Sequence, residues 1–571
     1  MSFINDSLFA DGPWQAMERA VARLMLHGNF QNVKLVGRTG DGGADVLASR
    51  FGKRYIVQVK FRRSGGIGQD VVDDILEARI RYRADIPIIA TNRVFSETVY
   101  RRQVELMSSG VPLQLWDGMK LKEEWNLLTE NSNCLNPPRK YQKGPINNII
   151  DFFLSGGKSG IIIMATGLGK TFVAASAIRQ IFDTGGRNAC KMLVLAHTNE
   201  LVYQLERAFW PFLSKHQTTS IWNGYEKGNL ESSLITFACI ASVSSELERH
   251  NELPVDYDLI AIDEAHHAGS SSYRNLIQET GAGAPHGPFL LGMTATPWRS
   301  DEHDIEEIFK ETLCSIDIVQ GMVNGYLSNV DYRMHVDNIN WEQISKTKDV
   351  TPRALNRSLF IQEWDDAVID VLQKTWDEVV RPKAIVFCTT IDHAFTIRDR
   401  INATGFSSAE VIYSGTFNGR KMSPIERSVT LCDFSDGMTG VMCAVDIFNE
   451  GIDVPDVNIL VFQRVTHSRR IFVQQLGRGL RVSPGKDKVI VLDFVSDIRR
   501  FAAGLELKNK LASAQRYLRL GNPVKFVNRT GEDPRAEGFL KEWLRDVAAI
   551  QDAGEDDHIL KFPPDLDSIN E

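Results

Sequence analysis

Short, uninterrupted apolar runs punctuate most of this chain: IIIMA at 161–165, MLVLA at 192–196, LIAID at 259–263 and FLLGMTAT at 289–296. A second set follows: AIVFCTT at 384–390, VMCAVD at 441–446, NILVFQ at 458–463 and VIVLDF at 489–494. Runs this short, without polar alternation, predict strands buried on both faces, which is the habit of parallel sheets. Stretches of helical period separate them, so two α/β blocks are expected, at residues 139–335 and 336–500. The first 130 residues have another grammar. An amphipathic helix is expected near 14–26, then strands near 33–36, 45–48 and 55–60, with a turn at Gly52-Lys53. Runs at 86–90 and 112–116 complete a small mixed sheet. Residues 131–138, polar and ending in a Pro pair, are expected to be a linker. Residues 501–571 are expected to be helical to about residue 553 and then a loose acidic tail.

Composition narrows the class. Of the 571 residues, 43% are hydrophobic and 24% charged, as in ordinary globular domains. No run of about 18 apolar residues occurs, so no membrane span is expected. The opening MSFINDSLFADG lacks a basic region followed by an apolar stretch and does not read as a secretion signal. The seven cysteines, at 134, 190, 239, 314, 388, 432 and 443, form no CxxC pair. That scatter points to a reducing cytoplasm and away from a zinc site. The net charge of −8 argues weakly against nucleic acid, but its distribution argues for it. Arg50, Lys53, Arg54, Lys60, Arg62 and Arg63 fall within fourteen residues, and Arg79, Arg81 and Arg83 follow, an expected phosphate-binding surface.

Candidate chemistry enters at ATGLGKT, residues 165–171. Thr166, Gly167 and Gly169 would let backbone N–H groups wrap phosphates, Lys170 would reach the β/γ-phosphates, and Thr171 would ligate Mg²⁺. Met164 stands where the phosphate-loop pattern usually opens with glycine. Downstream, Asp263 ends an apolar strand, placed to hold Mg²⁺ directly or through water, and Glu264 is placed to polarise the attacking water. With RKYQ at 139–142, AHTNELVYQ at 196–204, MTATPWR at 293–299, FNEGIDVPDV at 448–457 and QQLGRGLR at 474–481, residues 139–497 resemble superfamily-two helicases of the DEAH type. The branch they are most similar to is that of type III restriction motor subunits and repair translocases. The resemblance implies two RecA-like lobes closing on ATP and Mg²⁺. It makes Gln142 the adenine reader and assigns Gly451 and Asp453 to a second-lobe motif. It also matches Gln474, Arg478 and Arg481 to the last motif, where arginines face the γ-phosphate. Thr198 stands where an arginine is common in the first strand-gripping motif.

A second centre is expected near the N-terminus. Asp45 follows GRTGDGGA, and Gln58 and Lys60, two apart on one strand, point to the same face. A carboxylate with a second oxygen ligand can hold Mg²⁺ against a phosphodiester, and a lysine can orient water or stabilise the pentavalent charge. Glu18, on the first helix, would complete the metal shell; Asp41 is an alternative to Asp45. Residues 10–125 resemble PD-(D/E)xK nucleases of the Mrr-like type, which implies a restriction-endonuclease-like fold. Gln58 occupies the position that is acidic in the wider superfamily and often glutamine in Mrr-like members. The expected function is an ATP-driven DNA translocase or helicase joined to a DNA endonuclease, acting in restriction or phage defence. Two alternatives stand beside it: a repair helicase-nuclease, and a motor whose nuclease-like domain only binds DNA. The expected partner is double-stranded or branched DNA, with a second copy of the chain or an accessory defence protein left open.

Overall fold

A computed structural model describes residues 3–36, 43–132, 136–184, 190–295, 305–335, 365–445, 456–463, 479–486, 488–494, 524–528 and 531–532. The N-terminal block contains helix α1 (Asp6–Asp11), helix α2 (Trp14–His27), strands β1 (Gln31–Leu35), β2 (Val46–Arg50) and β3 (Lys53–Lys60), helix α3 (Asp70–Arg81), strand β4 (Ile86–Thr91), helix α4 (Glu97–Ser108), strand β5 (Gln114–Trp116) and helix α5 (Gly118–Leu127). The strands lie in chain order in one sheet: β1, β2 and β3 pair antiparallel, and β3, β4 and β5 pair parallel. The turn between β2 and β3 is Phe51-Gly52, one residue earlier than expected. Both residues have positive φ, 52° and 74°, the primed-turn backbone that matches the twist of a two-residue hairpin.

Strand parity divides this block into two cores. Val46, Ala48, Val57 and Val59 pack with α2 residues such as Val21 and Met25. Leu47 and Ile56 face the other way, against Val71, Val72 and Ile75 of α3. Gln58 and Lys60 share the parity of Ile56, so they belong to the α3 face.

The next sheet has seven strands, all parallel, in the spatial order Glu311–Ile316, Ser159–Met164, Phe289–Thr294, Leu259–Asp263, Met192–Ala196, Ile235–Cys239, Thr219–Trp222. Its central strands are wholly buried, as the uninterrupted apolar runs require. A further sheet of eight strands runs Ala409–Tyr413, Val441–Val445, Ala384–Phe387, Ile459–Phe462, Lys488–Phe494, Asn329–His335, Val524–Asn528, Gly531–Glu532. Two of these strands depart from the expectation. Asn329–His335, expected to close the first α/β block, pairs in parallel register with Lys488–Phe494 of the second. Val524–Asn528, inside the region expected to be helical, is a strand paired with Asn329–His335. Short segments of this kind take their conformation from the neighbouring strand, which no local pattern records.

The N-terminal block is fastened to the first parallel lobe through α2. Arg19 donates from Nη1 and Nη2 to Glu226 at 2.6 and 3.0 Å, and its Nε lies 2.9 Å from Glu206 Oε2 without hydrogen-bond alignment. Arg23 donates to the Ser214 carbonyl at 2.9 Å and lies over the Phe3 ring. Trp210 of the lobe joins the core of the N-terminal block. Contacts with the second lobe combine the exposed pairs Arg54–Asp436 at 2.5 Å and Arg83–Asp433 at 2.9 Å with Val429 and Cys432, partly buried against the α3-side core. Part of the basic run expected to face phosphate is therefore engaged by carboxylates of the chain itself.

Candidate active sites

The loop at 165–169 leaves the buried strand Ser159–Met164 and enters the helix Lys170–Thr184. Gly167 and Gly169 adopt φ of 95° and 85°, open to glycine at little cost. Gly169 has a second constraint: a Cβ there would sit 2.8 Å from Gln142 Nε2. Gln142 is buried, donates to the Leu168 carbonyl at 2.9 Å and accepts from the Arg139 N–H at 2.9 Å. Its neighbour Tyr141 donates to the same carbonyl at 3.2 Å and stacks on Tyr326 at 4.3 Å. The residue expected to read adenine thus braces the phosphate loop from behind.

Lys170 pairs with Glu264 and lies 3.6 Å from Asp263 Oδ1. Asp263 ends the strand Leu259–Asp263, and Glu264 takes a left-handed φ of 49° that starts a tight turn. His266 Nδ1, almost wholly buried, lies 3.3 Å from Glu264 Oε2 and 3.1 Å from the Thr294 hydroxyl. Thr294 ends the adjacent strand and begins the TAT segment, so Glu264, His266 and Thr294 form one chain of contacts. Burial alone would lower the Lys170 pKa, but Asp263 and Glu264 outweigh it and raise it. Burial would raise that of Glu264, but Lys170 and His266 hold it well below the usual carboxylate range. Asp263 is pushed up by burial and by the Glu264 charge. A buried Asp263 Oδ1 without a hydrogen-bond partner, beside the Thr171-bearing helix, fits a hard cation that takes oxygen ligands.

Thr166 lies in the loop and Thr171 in the first turn of its helix, each half-buried. Arg481 follows the buried Leu480, and Ser328 binds both: its N–H donates to the Leu480 carbonyl at 2.7 Å and its hydroxyl to the Arg481 carbonyl at 3.2 Å. Arg478, Gln474, Gly451 and Asp453 lie outside the described residues, as does Asp41.

In the N-terminal block, Asp45 brackets β3. Its N–H donates to the Val57 carbonyl at 2.8 Å, and its Oδ2 accepts from the Val59 N–H at 2.5 Å. The buried carboxylate is therefore held by backbone on either side of Gln58. The Gln58 amide, turned so that both of its groups are satisfied, donates to the Val71 carbonyl at 3.0 Å and accepts from Lys60 Nζ at 3.0 Å. Glu18 is buried in α2, the helix on the other face of the sheet. One residue escaped the sequence reading: Asp74 of α3, whose Oδ2 lies 3.6 Å from Lys60 Nζ and 3.4 Å from the Gln58 amide. Its signal was an acidic residue in the helix following the QVK strand. The three acids at 70, 73 and 74 do not by themselves say which one faces the sheet. Among the described residues no group of three or more His, Cys, Asp or Glu side chains gathers as a metal cluster. The donor set here is carboxylate and amide oxygens, hard ligands of the kind Mg²⁺ takes.

Comparison with known proteins finds three matching stretches. Residues 10–125 match an Mrr-type family described as restriction endonuclease. Residues 136–299 match the type III restriction enzyme res subunit, and residues 366–483 the helicase conserved C-terminal domain. The type I restriction enzyme EcoAI endonuclease subunit of Escherichia coli is 24% identical over 76% of this chain and 57% of its own length. A DNA 3'-5' translocase, XPB2 of Sulfurisphaera tokodaii, is 26% identical over 59% of this chain and 77% of its own. The chain spans 52% to 58% of several curated relatives it matches. An ATP-dependent Type ISP restriction-modification enzyme, LlaBIII, solved bound to DNA, shares the fold with a TM-score of 0.53 and 16% identity. That match covers 94% of this chain and 42% of that one. No helix among the described residues is long and apolar enough to cross a membrane.

Proposed function

We propose that this chain, in which an Mrr-type restriction-endonuclease domain is joined to the two RecA-like domains of a helicase, is an ATP-driven DNA translocase or helicase that cuts DNA with Mg²⁺. Its role in this reading is restriction or antiviral defence in the cytoplasm. The observation that carries it is the pairing of Lys170 with Glu264 beside Asp263, at the carboxyl ends of two parallel strands that flank Phe289–Thr294. That is where open α/β sheets bind ligands. In the reading, the nuclease occupies residues 1–130, the linker 131–138 and the motor the region after it.

In the motor, Gly167 and Gly169 shape the loop, Lys170 exchanges its carboxylate partners for phosphate, and Asp263 and Thr171 would hold the cation. Glu264, released from Lys170, accepts a proton from the attacking water, while His266 carries its position to Thr294. Arg478 and Arg481, from the second lobe, meet charge on the phosphates only when the cleft closes, and closure and release then become steps along DNA. Bound Mg²⁺ would supply charge neutralisation at the phosphates. In the nuclease, Asp45 and Gln58 supply oxygens and Lys60 steadies the scissile phosphate. The family resemblance to restriction subunits supports defence over repair.

The test uses two variants of the full chain. Lys60→Ala is expected to abolish cleavage of plasmid DNA while ATP hydrolysis stays within about twofold of wild type. Lys170→Ala is expected to lower ATP hydrolysis about a hundredfold or more, the scale on which loss of a charge-stabilising group acts. Wild-type protein that hydrolyses ATP but leaves every DNA form intact with Mg²⁺ would show the N-terminal domain to be a binding module instead.

A further inference from the structure

Gln58 leaves the nuclease centre one negative charge short. A dipositive ion held by one carboxylate and one neutral amide retains net positive charge, and cation affinity follows the number of charged oxygen ligands. The fold brings a second carboxylate to the same place. Asp74 projects from the face of α3 that also carries Val71, three residues earlier and on the same side of the helix. The Val71 carbonyl accepts from the Gln58 amide, and Asp74 Oδ2 stands 3.4 Å from that amide's other atom, so both meet at Lys60 Nζ. With the amide so turned, two oxygens converge on the one cation in the site.

The placement is built in. Gly43, two residues before Asp45, has φ of 91°, and a Cβ there would lie 2.7 Å from the Asp74 carbonyl oxygen. The glycine-rich loop therefore packs directly on the backbone of Asp74, and one close approach fixes Asp45 and Asp74 relative to each other. Asp70, in contrast, lies 4.0 Å from Arg62. The side chains of Lys60 and Asp74 are 33% and 54% exposed, so a phosphodiester can approach them from solvent.

We propose that Asp74 is a metal ligand of the nuclease, replacing from α3 the carboxylate that Gln58 lacks. Asp74 and the Gln58 amide oxygen would hold a divalent cation in place of Lys60, whose ammonium would then be free to face the phosphate. This inference rests on the nuclease reading. Its test separates the two: Mn²⁺ binding to the full chain without nucleotide, followed by calorimetry, together with DNA cleavage, for Asp45→Asn, Asp74→Asn and Asp74→Glu. ATP hydrolysis serves as the check on folding. Asp74→Asn is expected to weaken the N-terminal Mn²⁺ site about tenfold or more and to lose cleavage, with partial recovery in Asp74→Glu. An Asp74→Asn protein that cleaves poorly yet binds Mn²⁺ as wild type does would overturn the proposal, leaving Asp74 as a partner that merely orients Lys60. If Asp45→Asn also leaves Mn²⁺ binding and cleavage unchanged, the nuclease reading itself fails and this inference falls with it.

Discussion

At the residue scale, three candidate site residues are held by backbone groups. Asp45 is fixed by the Val59 N–H, Gln58 by the Val71 carbonyl, and Gln142 by the Leu168 carbonyl. Gly169 tests the last of these. Alanine at φ of 85° carries a backbone cost of about 1–2 kcal/mol, and its Cβ would press on a Gln142 amide already committed at both ends. Gly169→Ala is expected to weaken ATP binding about tenfold, measurable with a fluorescent nucleotide, and to leave DNA-independent folding intact. Unchanged nucleotide affinity would mean that the loop does not require its left-handed residue.

At the element scale, α2 carries the fastening between the N-terminal block and the first lobe, and it includes a pH-sensitive group. His27 touches the Trp210 carbonyl at 3.2 Å, and burial, with the Arg23 charge nearby, lowers its pKa from 6.5 to about 3. Burial and Arg333 likewise lower His335 to about 4. Both are depressed folded-state values, so the unfolded chain binds more protons between the two pKa values. The stability they allow is complete above pH 6.5 and falls as pH drops toward 4 and then 3. By pH 5.5 the loss from each is on the order of 1 kcal/mol. His27→Gln keeps a donor for the carbonyl and is expected to flatten the decline in denaturation midpoint between pH 7.5 and 5.5. An unaltered slope would show that His27 is not the titrating group.

At the scale of the whole molecule, the ion pairs that tie the N-terminal block to the two lobes differ in strength. Removing Arg19 would leave Glu206 and Glu226 buried without their shared cation, a loss of about 3–5 kcal/mol. Arg83–Asp433 is exposed, and breaking such a pair costs at most about 1 kcal/mol. Arg19→Ala is therefore expected to make the 131–138 region sensitive to limited proteolysis, while Arg83→Ala digests as wild type does. Equal sensitivity in both would contradict the asymmetry. The buried ion-pair cluster lies on the first lobe, whereas the second is met by exposed pairs and by Val429 and Cys432.

The helicase resemblance was legible in the order of the motifs, because a glycine loop, an acidic strand end and an arginine-bearing segment each have a local signature that short-range spacing preserves, and family matches at 136–299 and 366–483 agree with it. The sheets were legible for the same reason: a strand buried on both faces must be apolar throughout. Local pattern could not decide where Asn329–His335 belongs, since either parallel sheet would accept it, and pairing with Lys488–Phe494 settled the matter. Nor could it choose among the acids of α3, because only the helix's rotation against β3 turns Asp74 toward Gln58 and Lys60. The basic run read as one phosphate-facing surface until folding brought Asp433 and Asp436 against part of it. Sequence alone determines which groups are present and how neighbours a few residues apart share a face. Tertiary structure decides which distant groups meet, because that depends on packing between elements whose separation along the chain carries no periodic signal.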